Sequence, residues 1–379
     1  MVDFTFTEEQ ESFRRQMENF VKDKIAPKVK EMEETKSVNA EVLQALKDAK
    51  LMGITIPKEY GGLGLGYVAR LIALEEIAKV SAGVAMMLQI FGLGIEPIIK
   101  FGSEEQKKKY LPELAAGERL ATVSVTESSG GSDPTSIETT YVKEGDYYVL
   151  NGRKIMLTNA PIANTICLLA KDADNPKSFS TFIVENTFEG FKLGKEWNEI
   201  GFRGCSVGEI LLNNCKVPKE NLLGPEGKGL RVALSAIGDV GRGGMVGCAL
   251  GIMAACLDKS VSFSNHRKLY GKPISHLQTI QNKIALMRLD LEAGRLLGYR
   301  AAAMEDRGQR CDLEFAMAKY YTTEAAQRVA KMAVDIHGGY GTTEESAVYR
   351  YLRDAMMLGP SAGTSDIMLV IIARATIGK

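Results

Sequence analysis

From Thr7 to about Gly117, apolar residues recur three and four positions apart, as at Phe13, Met17, Phe20 and Val21, with helix formers between them. That is the period of amphipathic helices. Thr7-Glu8-Glu9-Gln10, and Ser103-Glu104-Glu105-Gln106 after the Gly102 break, have the spacing of capping boxes and open two of them. Between about Ala121 and Pro225 the texture changes to short β-rich runs split by turn residues. Tyr147-Tyr148-Val149-Leu150 reads as a strand ending in an Asn151-Gly152 turn, while Thr165–Ala170 and Ser180–Val184 read as buried strands. From about Gly227 long helical patterns return, one from Leu230 to Leu257 and one from Leu277 to about Glu305. Helices, then strands, then helices predict an α+β multidomain chain: a helical domain over 1–120, an all-β domain over 121–227 and a helical bundle over 228–379. Without βαβ alternation, a doubly wound dinucleotide fold is excluded.

The most apolar long stretch, residues 82–99, is interrupted by Gln89, Glu96 and Pro97 and is expected to be a core helix rather than a membrane span. Met1–Phe6 has no basic region followed by an apolar run, so no secretion signal is expected. With 379 residues, 45% of them hydrophobic, the chain can bury large cores. Its 47 basic and 47 acidic side chains cancel, removing the simplest electrostatic case for a nucleic-acid or membrane partner. The six scattered cysteines and three histidines have no zinc spacing, so no metal is expected. Unpaired cysteines in apolar surroundings fit a reducing cytoplasm.

Two motifs invite chemistry. Gly61-Gly62-Leu63-Gly64-Leu65-Gly66 matches neither the dinucleotide nor the Walker spacing and reads as a tight interhelical turn. Val125-Thr126-Glu127-Ser128-Ser129-Gly130-Gly131-Ser132-Asp133 offers hydroxyls, small residues and backbone N–H groups that suit a phosphate or the edge of a flavin. By itself that loop is equally a turn.

Four later segments give the loop a context: Met156-Leu157-Thr158-Asn159, Gly201–Cys205, Asn265–Gly271 with Pro273-Ile274 and Leu277-Gln278, and the pair Gly338-Gly339 with Tyr340–Glu345. Taken in this order along the chain, they resemble the acyl-CoA dehydrogenase flavoprotein family. The family's (L/V)-(S/T)-E-P-x-x-G-S-D loop matches Val125–Asp133, with Ser128 for proline. Its W-I-T-N segment matches Met156–Asn159, its G-x-R-G-S matches Gly201–Cys205 and its N-x-R-x-x-F-G matches Asn265–Gly271. Its glycine pair, with G-x-x-x-E, matches Gly338–Glu345. The resemblance implies a β-barrel middle domain, a C-terminal four-helix bundle and a homo-oligomer, a tetramer by preference. It also implies FAD held by Val125, Thr126, Gly131, Ser132, Met156 and Thr158, with Thr364 and Asp366 beside it. Arg267, Gln278, Gly338 and Gly339 would reach the FAD of a neighbouring subunit, and Tyr270 and Asp335 would also contact the cofactor. Gln89, Phe91, Arg242, Ser361 and Gly363 would contact the acyl-CoA thioester, and electrons would pass to an electron-transfer flavoprotein.

The resemblance breaks at the proton acceptor. The family's Y-E-G-T-S segment reads Ser361-Ala362-Gly363-Thr364-Ser365, so Ala362 stands where the glutamate is usual and offers only its backbone N–H. A minority of relatives carry the base immediately before a helix arginine; here Gly241 precedes Arg242. Losing a general base costs roughly 10²–10⁴ in rate, so a substitute is required for turnover. One reading moves the chemistry, as in cyclohexene-carboxyl-CoA-type relatives that perform 1,4-elimination on cyclic enoyl-CoA. A second keeps 1,2-dehydrogenation with a relocated acid, Asp239, Glu96 or Asp366. A third gives up the α-carbon reaction and leaves a flavin monooxygenase or a non-catalytic thioester binder. The bulk of Met86–Leu93 favours a compact acyl group.

Overall fold

The computed structural model describes residues 5–378. The part of Met1–Phe6 before residue 5 lies outside them. The N-terminal domain consists of α1 (Glu8–Phe20), α2 (Val29–Thr35), α3 (Ala40–Asp48), α4 (Gly66–Ala78), α5 (Ala82–Phe101) and α6 (Glu104–Ala116). Both expected capping boxes form: Thr7 and Ser103 each accept from the glutamine three residues on, whose side chain returns to the cap N–H. The glycine cluster is the expected turn, with Gly61, Gly64 and Gly66 all at positive φ. It delivers the chain into α4, whose first N–H groups at Tyr67 and Val68 are accepted by the Asp306 carboxylate at 2.6 and 3.0 Å.

α5 is the expected core helix, with 89% of its most apolar window buried. From the middle domain, Asn159 Nδ2 donates to Met87 O at 2.9 Å and so fixes that domain against α5.

The middle domain comprises β1 (Ala121–Ser124), β2 (Thr140–Glu144), β3 (Tyr147–Thr158), β4 (Thr165–Asp172), β5 (Phe179–Glu185), β6 (Phe191–Trp197), β7 (Val207–Pro218) and β8 (Leu222–Leu223). The order β6-β7-β3-β2-β4-β5-β8, with β1 parallel to β4, is an open path; among the described residues no pairing closes it into the expected barrel. The Asn151-Gly152 turn is also corrected. β3 runs straight through it, and the register slips there against β7. Asn151 and Asn214 hold this irregularity together across the strands at 2.8 and 3.1 Å, a bulge rather than a turn.

Beyond it lie α7 (Gly229–Ala236), α8 (Arg242–His266), the ribbon β9 (Lys268–Leu269) and β10 (Lys272–Pro273), α9 (Gln278–Asp306), α10 (Asp312–His337), α11 (Ala347–Leu358) and α12 (Ser365–Ile377). α8, α9 and α10 pack on one another, α11 and α12 lie against α10, and α4 packs on α8, joining the terminal domains in one core. The helix expected over Leu230–Leu257 is interrupted by a wide π turn at Ile237–Gly241. The carbonyls this turn frees are capped from outside: Gln89 Nε2 donates to Val240 O (2.9 Å) and Gly241 O (3.3 Å), and Arg70 to Val240 O (3.3 Å). The six cysteines are buried and unpaired.

Candidate active site

The loop over Val125–Asp133 is pinned from beneath by a buried ion pair. Lys154, with none of its surface exposed, donates to Glu127 at 2.7 Å and to Val125 O at 3.1 Å. Glu127 also accepts the N–H groups of Glu138 (2.6 Å) and Thr139 (3.1 Å). Burial brings the Lys154 ammonium down to about 8 despite its partner. Burial opposes ionisation of Glu127 too, but Lys154 and the backbone donors hold that carboxyl below its ordinary range.

Above this anchor Gly131 and Ser132 are exposed, and Thr126 is half-buried. Next to them β3 bulges: Met156 adopts φ +55° and turns outward, 45% exposed, two residues before the half-buried Thr158. The side-chain hydroxyls of Thr126 and Thr158 have no hydrogen-bond partner among the described residues. An outward apolar side chain flanked by two unspent hydroxyls fits an aromatic ring system with a polar edge, which is what a flavin presents. The Val125–Asp133 loop and β3 therefore lie side by side: the Ile155 N–H donates to Thr126 O at 3.0 Å, and a methyl built on Gly131 would lie 3.9 Å from Thr126 Cγ2.

The second expected flavin set assembles elsewhere. Arg267 follows the end of α8, Tyr270 stands 97% exposed at the tip of the β9–β10 ribbon, and exposed Gln278 begins α9. Asp335, exposed, pairs with Lys331 (2.9 Å) and Lys283 (3.4 Å). Gly338, at φ +60°, and Gly339 have open space where a side chain would project. His337 stacks on Phe263 with ring centroids 4.2 Å apart, which ties the glycine pair to the end of α8. The 25 residues of α8 separate this cluster from Arg242 at its start by about 37 Å at 1.5 Å per residue. The Arg267–Gly339 cluster thus lies at the opposite end of α8 from Arg242.

The turn after α11 carries the other half of the site. Lys319, wholly buried on α10, donates to Gly359 O at 2.7 Å, and Ser361 Oγ donates to Met357 O at 2.7 Å. Ala362 then adopts φ +52° and Gly363 φ +88° before Thr364 caps α12 and Ser365 bonds Glu324 at 2.6 Å. Asp366 lies exposed in the first turn of α12. The Ala362 N–H is unspent among the described residues, free to polarise a carbonyl oxygen.

The two positions at which the sequence resemblance expects a base, Gly241 and Ala362, lie together. A methyl group built on Gly241 would lie 3.5 Å from Ala362 Cβ and 3.5 Å from Leu93 Cδ1. Both positions address that point, and neither supplies an acid. Arg242, beside it, reaches Asp312 O at 3.4 Å and keeps a buried Nε without a partner. Burial lowers its pKa, with Asp312 and Asp239 opposing. Gln89 is entirely buried, its amide committed to the π turn and its Oε1 accepting from Arg70. Phe91 lies in the helical core.

Glu96 and Asp239 converge on a single cation. Lys100 Nζ lies 3.2 Å from Glu96, 2.9 Å from Asp239 and 3.0 Å from Glu305. Cys311 Sγ donates to Glu305 at 3.0 Å. Burial raises both Glu96 and Asp239 above the usual carboxylate range, against the opposing pull of Lys100. Tyr67 donates its hydroxyl to Glu96. Three participants escaped the sequence reading: Tyr67, Arg70 and Lys100. A tyrosine and an arginine set three apart, followed by the apolar run Leu71–Leu74, were the available signal.

Models of the acyl-CoA dehydrogenase N-terminal, middle and C-terminal domains match residues 7–118, 122–215 and 227–377. An acyl-CoA dehydrogenase of Bacillus subtilis is 39% identical over 98% of this chain and 99% of its own length. A subunit of the caffeyl-CoA reductase-Etf complex of Acetobacterium woodii is 34% identical over 99% of this chain and all of its own. Butyryl-CoA dehydrogenase from Megasphaera elsdenii superimposes with a TM-score of 0.96 at 35% identity, covering 99% of this chain and 100% of that one.

Proposed function

The chain belongs to the acyl-CoA dehydrogenase family, and we propose that within it this FAD-dependent oxidoreductase acts on a compact acyl- or enoyl-CoA, alicyclic ones included, with its proton acceptor displaced from the usual place. The observation that carries this is the meeting of Gly241 and Ala362 at one point with no carboxylate on either. Bound FAD supplies the hydride acceptor, its N5. The chain supplies the rest: the free Ala362 N–H for the thioester oxygen, the outward Met156 and the Thr158 hydroxyl for the ring, and the Lys154-anchored loop that holds Val125 and Thr126.

The pocket's depth supports a compact acyl group. Gly241 faces Ala362, while Gly244, three residues further along α8, has its side-chain space filled by the Gln89 amide. Three helical residues rise roughly 5 Å, so the space beside Ala362 is closed within about a turn. The family kinship to a subunit of an Etf complex supports electron exchange with an electron-transfer flavoprotein. The distance of the Arg267–Gly339 cluster from the Arg242 end of α8 supports assembly as an oligomer, a homotetramer by family resemblance.

Anaerobic bleaching of the purified holoenzyme's flavin by straight-chain, branched and cyclic thioesters tests this reading. Bleaching by cyclic enoyl-CoA and not by saturated chains is expected. Rapid bleaching by saturated chains would mean a relocated base at the α-carbon, and a flavin inert to all thioesters would refute dehydrogenation.

A further inference from the structure

The turn between α11 and α12 keeps a conformation that its own backbone does little to hold. Ala362 (φ +52°) and Gly363 (φ +88°) follow one another in the left-handed region, which an alanine enters only at a cost. From Pro360 to Gly363 the turn makes one backbone hydrogen bond among the described residues, Ser361 N–H to Leu358 O at 3.3 Å. A residue so placed persists only when its surroundings over-determine it.

Here α10 takes hold of the turn at both ends. Lys319 Nζ donates to Gly359 O at 2.7 Å before the left-handed pair, and Glu324 accepts the Ser365 hydroxyl at 2.6 Å after it. The two residues lie about 7.5 Å apart along the helix axis. From α12, buried Met368 closes on the turn: a methyl group built on Gly363 would lie 3.0 Å from its Cε. Lys319 is wholly buried, and among the described residues its one hydrogen bond goes to this turn rather than to a carboxylate. Burying an ammonium without an ion pair is costly, and the effect of doing so here is a fixed Gly359 carbonyl.

We propose that Lys319 and Glu324 are positioning residues for the thioester. Together they hold Ala362 in the left-handed region and so aim its N–H, which is unspent among the described residues, at the thioester oxygen. They act through Gly359 and Ser365, not on the thioester itself. A donor fixed in advance stabilises a developing oxyanion because nothing has to reorganise when the charge appears. With either hold released, Ala362 would relax out of the left-handed region and swing its N–H away. This rests on the reading that the Ala362 N–H polarises the carbonyl and adds how that donor is kept in place.

Acetoacetyl-CoA measures this aim without needing a base in the site. Its C2 proton leaves to water, the C–H electron pair settles on the thioester oxygen, and the ultraviolet absorbance of the enolate gives the enolisation constant on the FAD-loaded protein. The parent should favour the enolate more than water does. Lys319→Met, Glu324→Ala and Ser365→Ala should each lower the constant by about tenfold or more, the loss of a whole oxyanion donor being worth roughly 10²–10³. Glu324→Gln keeps an oxygen for the Ser365 hydroxyl and should restore most of what Glu324→Ala loses. Combining Glu324→Ala with Ser365→Ala should cost no more than either alone, because both remove one bond. A merely structural role would lower the denaturation midpoint and leave the enolisation constant of the folded protein at the parent value. Ser365→Ala removes one half-buried hydroxyl, so it reports even if Lys319→Met folds poorly. Parent-like constants in all three variants would overturn the clamp and leave the Ala362 reading intact. A parent on which acetoacetyl-CoA enolises no more than in water would overturn that reading and the clamp with it.

Discussion

At the scale of single residues, the proposed displacement of the proton acceptor turns on Ala362, which carries a methyl where the family motif carries a glutamate, and it can be tested by reversal. Ala362→Glu should create or raise 1,2-dehydrogenation of a saturated acyl-CoA, and so should Gly241→Glu, because both address one point. Flavin bleaching by butyryl-CoA measures it; a variant that binds FAD and thioester yet stays inert would remove that point from the site. Lys319 offers a second test through pH. Burial lowers its ammonium from 10.5 to about 8, so between those values the unfolded chain holds a proton the folded chain has released. Stability therefore rises with pH across that window, by about 3 kcal/mol at most. Lys319→Met should show no such rise in denaturant titrations from pH 7 to 10. Ala362 and Gly241 were legible in the sequence because their flanking motifs survive. Tyr67, Arg70 and Lys100 were not, because what makes them matter is a partner far away in the chain, as Asp239 is for Lys100.

Among elements, local signals were legible and long-range ones were not. A capping box lies within four consecutive residues, so Thr7 and Ser103 declared their helices. Asn151-Gly152 looked like a turn because the strand that absorbs it as a bulge, β7, lies some sixty residues on, where Asn214 answers Asn151. The π turn at Ile237–Gly241 was hidden for the same reason: it survives because Arg70 and Gln89, on α4 and α5, cap the carbonyls it releases. Gly244 gives Gln89 the room to do so. Gly244→Ala should thus push the amide off its carbonyls and cost roughly 1–3 kcal/mol of stability, the usual penalty for overpacking. Chemical denaturation checks it; an unchanged midpoint would mean that the amide relaxes freely.

For the whole molecule, the succession of helical, strand and helical segments was plain from hydrophobic period alone, whereas the way the terminal domains share one core through α4 and α8 was not. The length of α8 between Arg242 and the Arg267 cluster makes a prediction at this scale. Arg267→Ala should weaken FAD retention although Arg267 lies about 37 Å from the turn that carries Ala362. Flavin content after dialysis measures this, and full retention would take Arg267 out of the cofactor's reach. The meeting of Gly241 and Ala362 has a consequence of its own. One sits on a buried helix and the other on a surface-side turn, so the same spot can be furnished from two independent parts of the chain. Such a socket lets the reacting acid be removed, restored or handed from one part to the other while cofactor, pocket and fold stay as they are. A scaffold of this kind can change its reaction by two point substitutions and keep everything else.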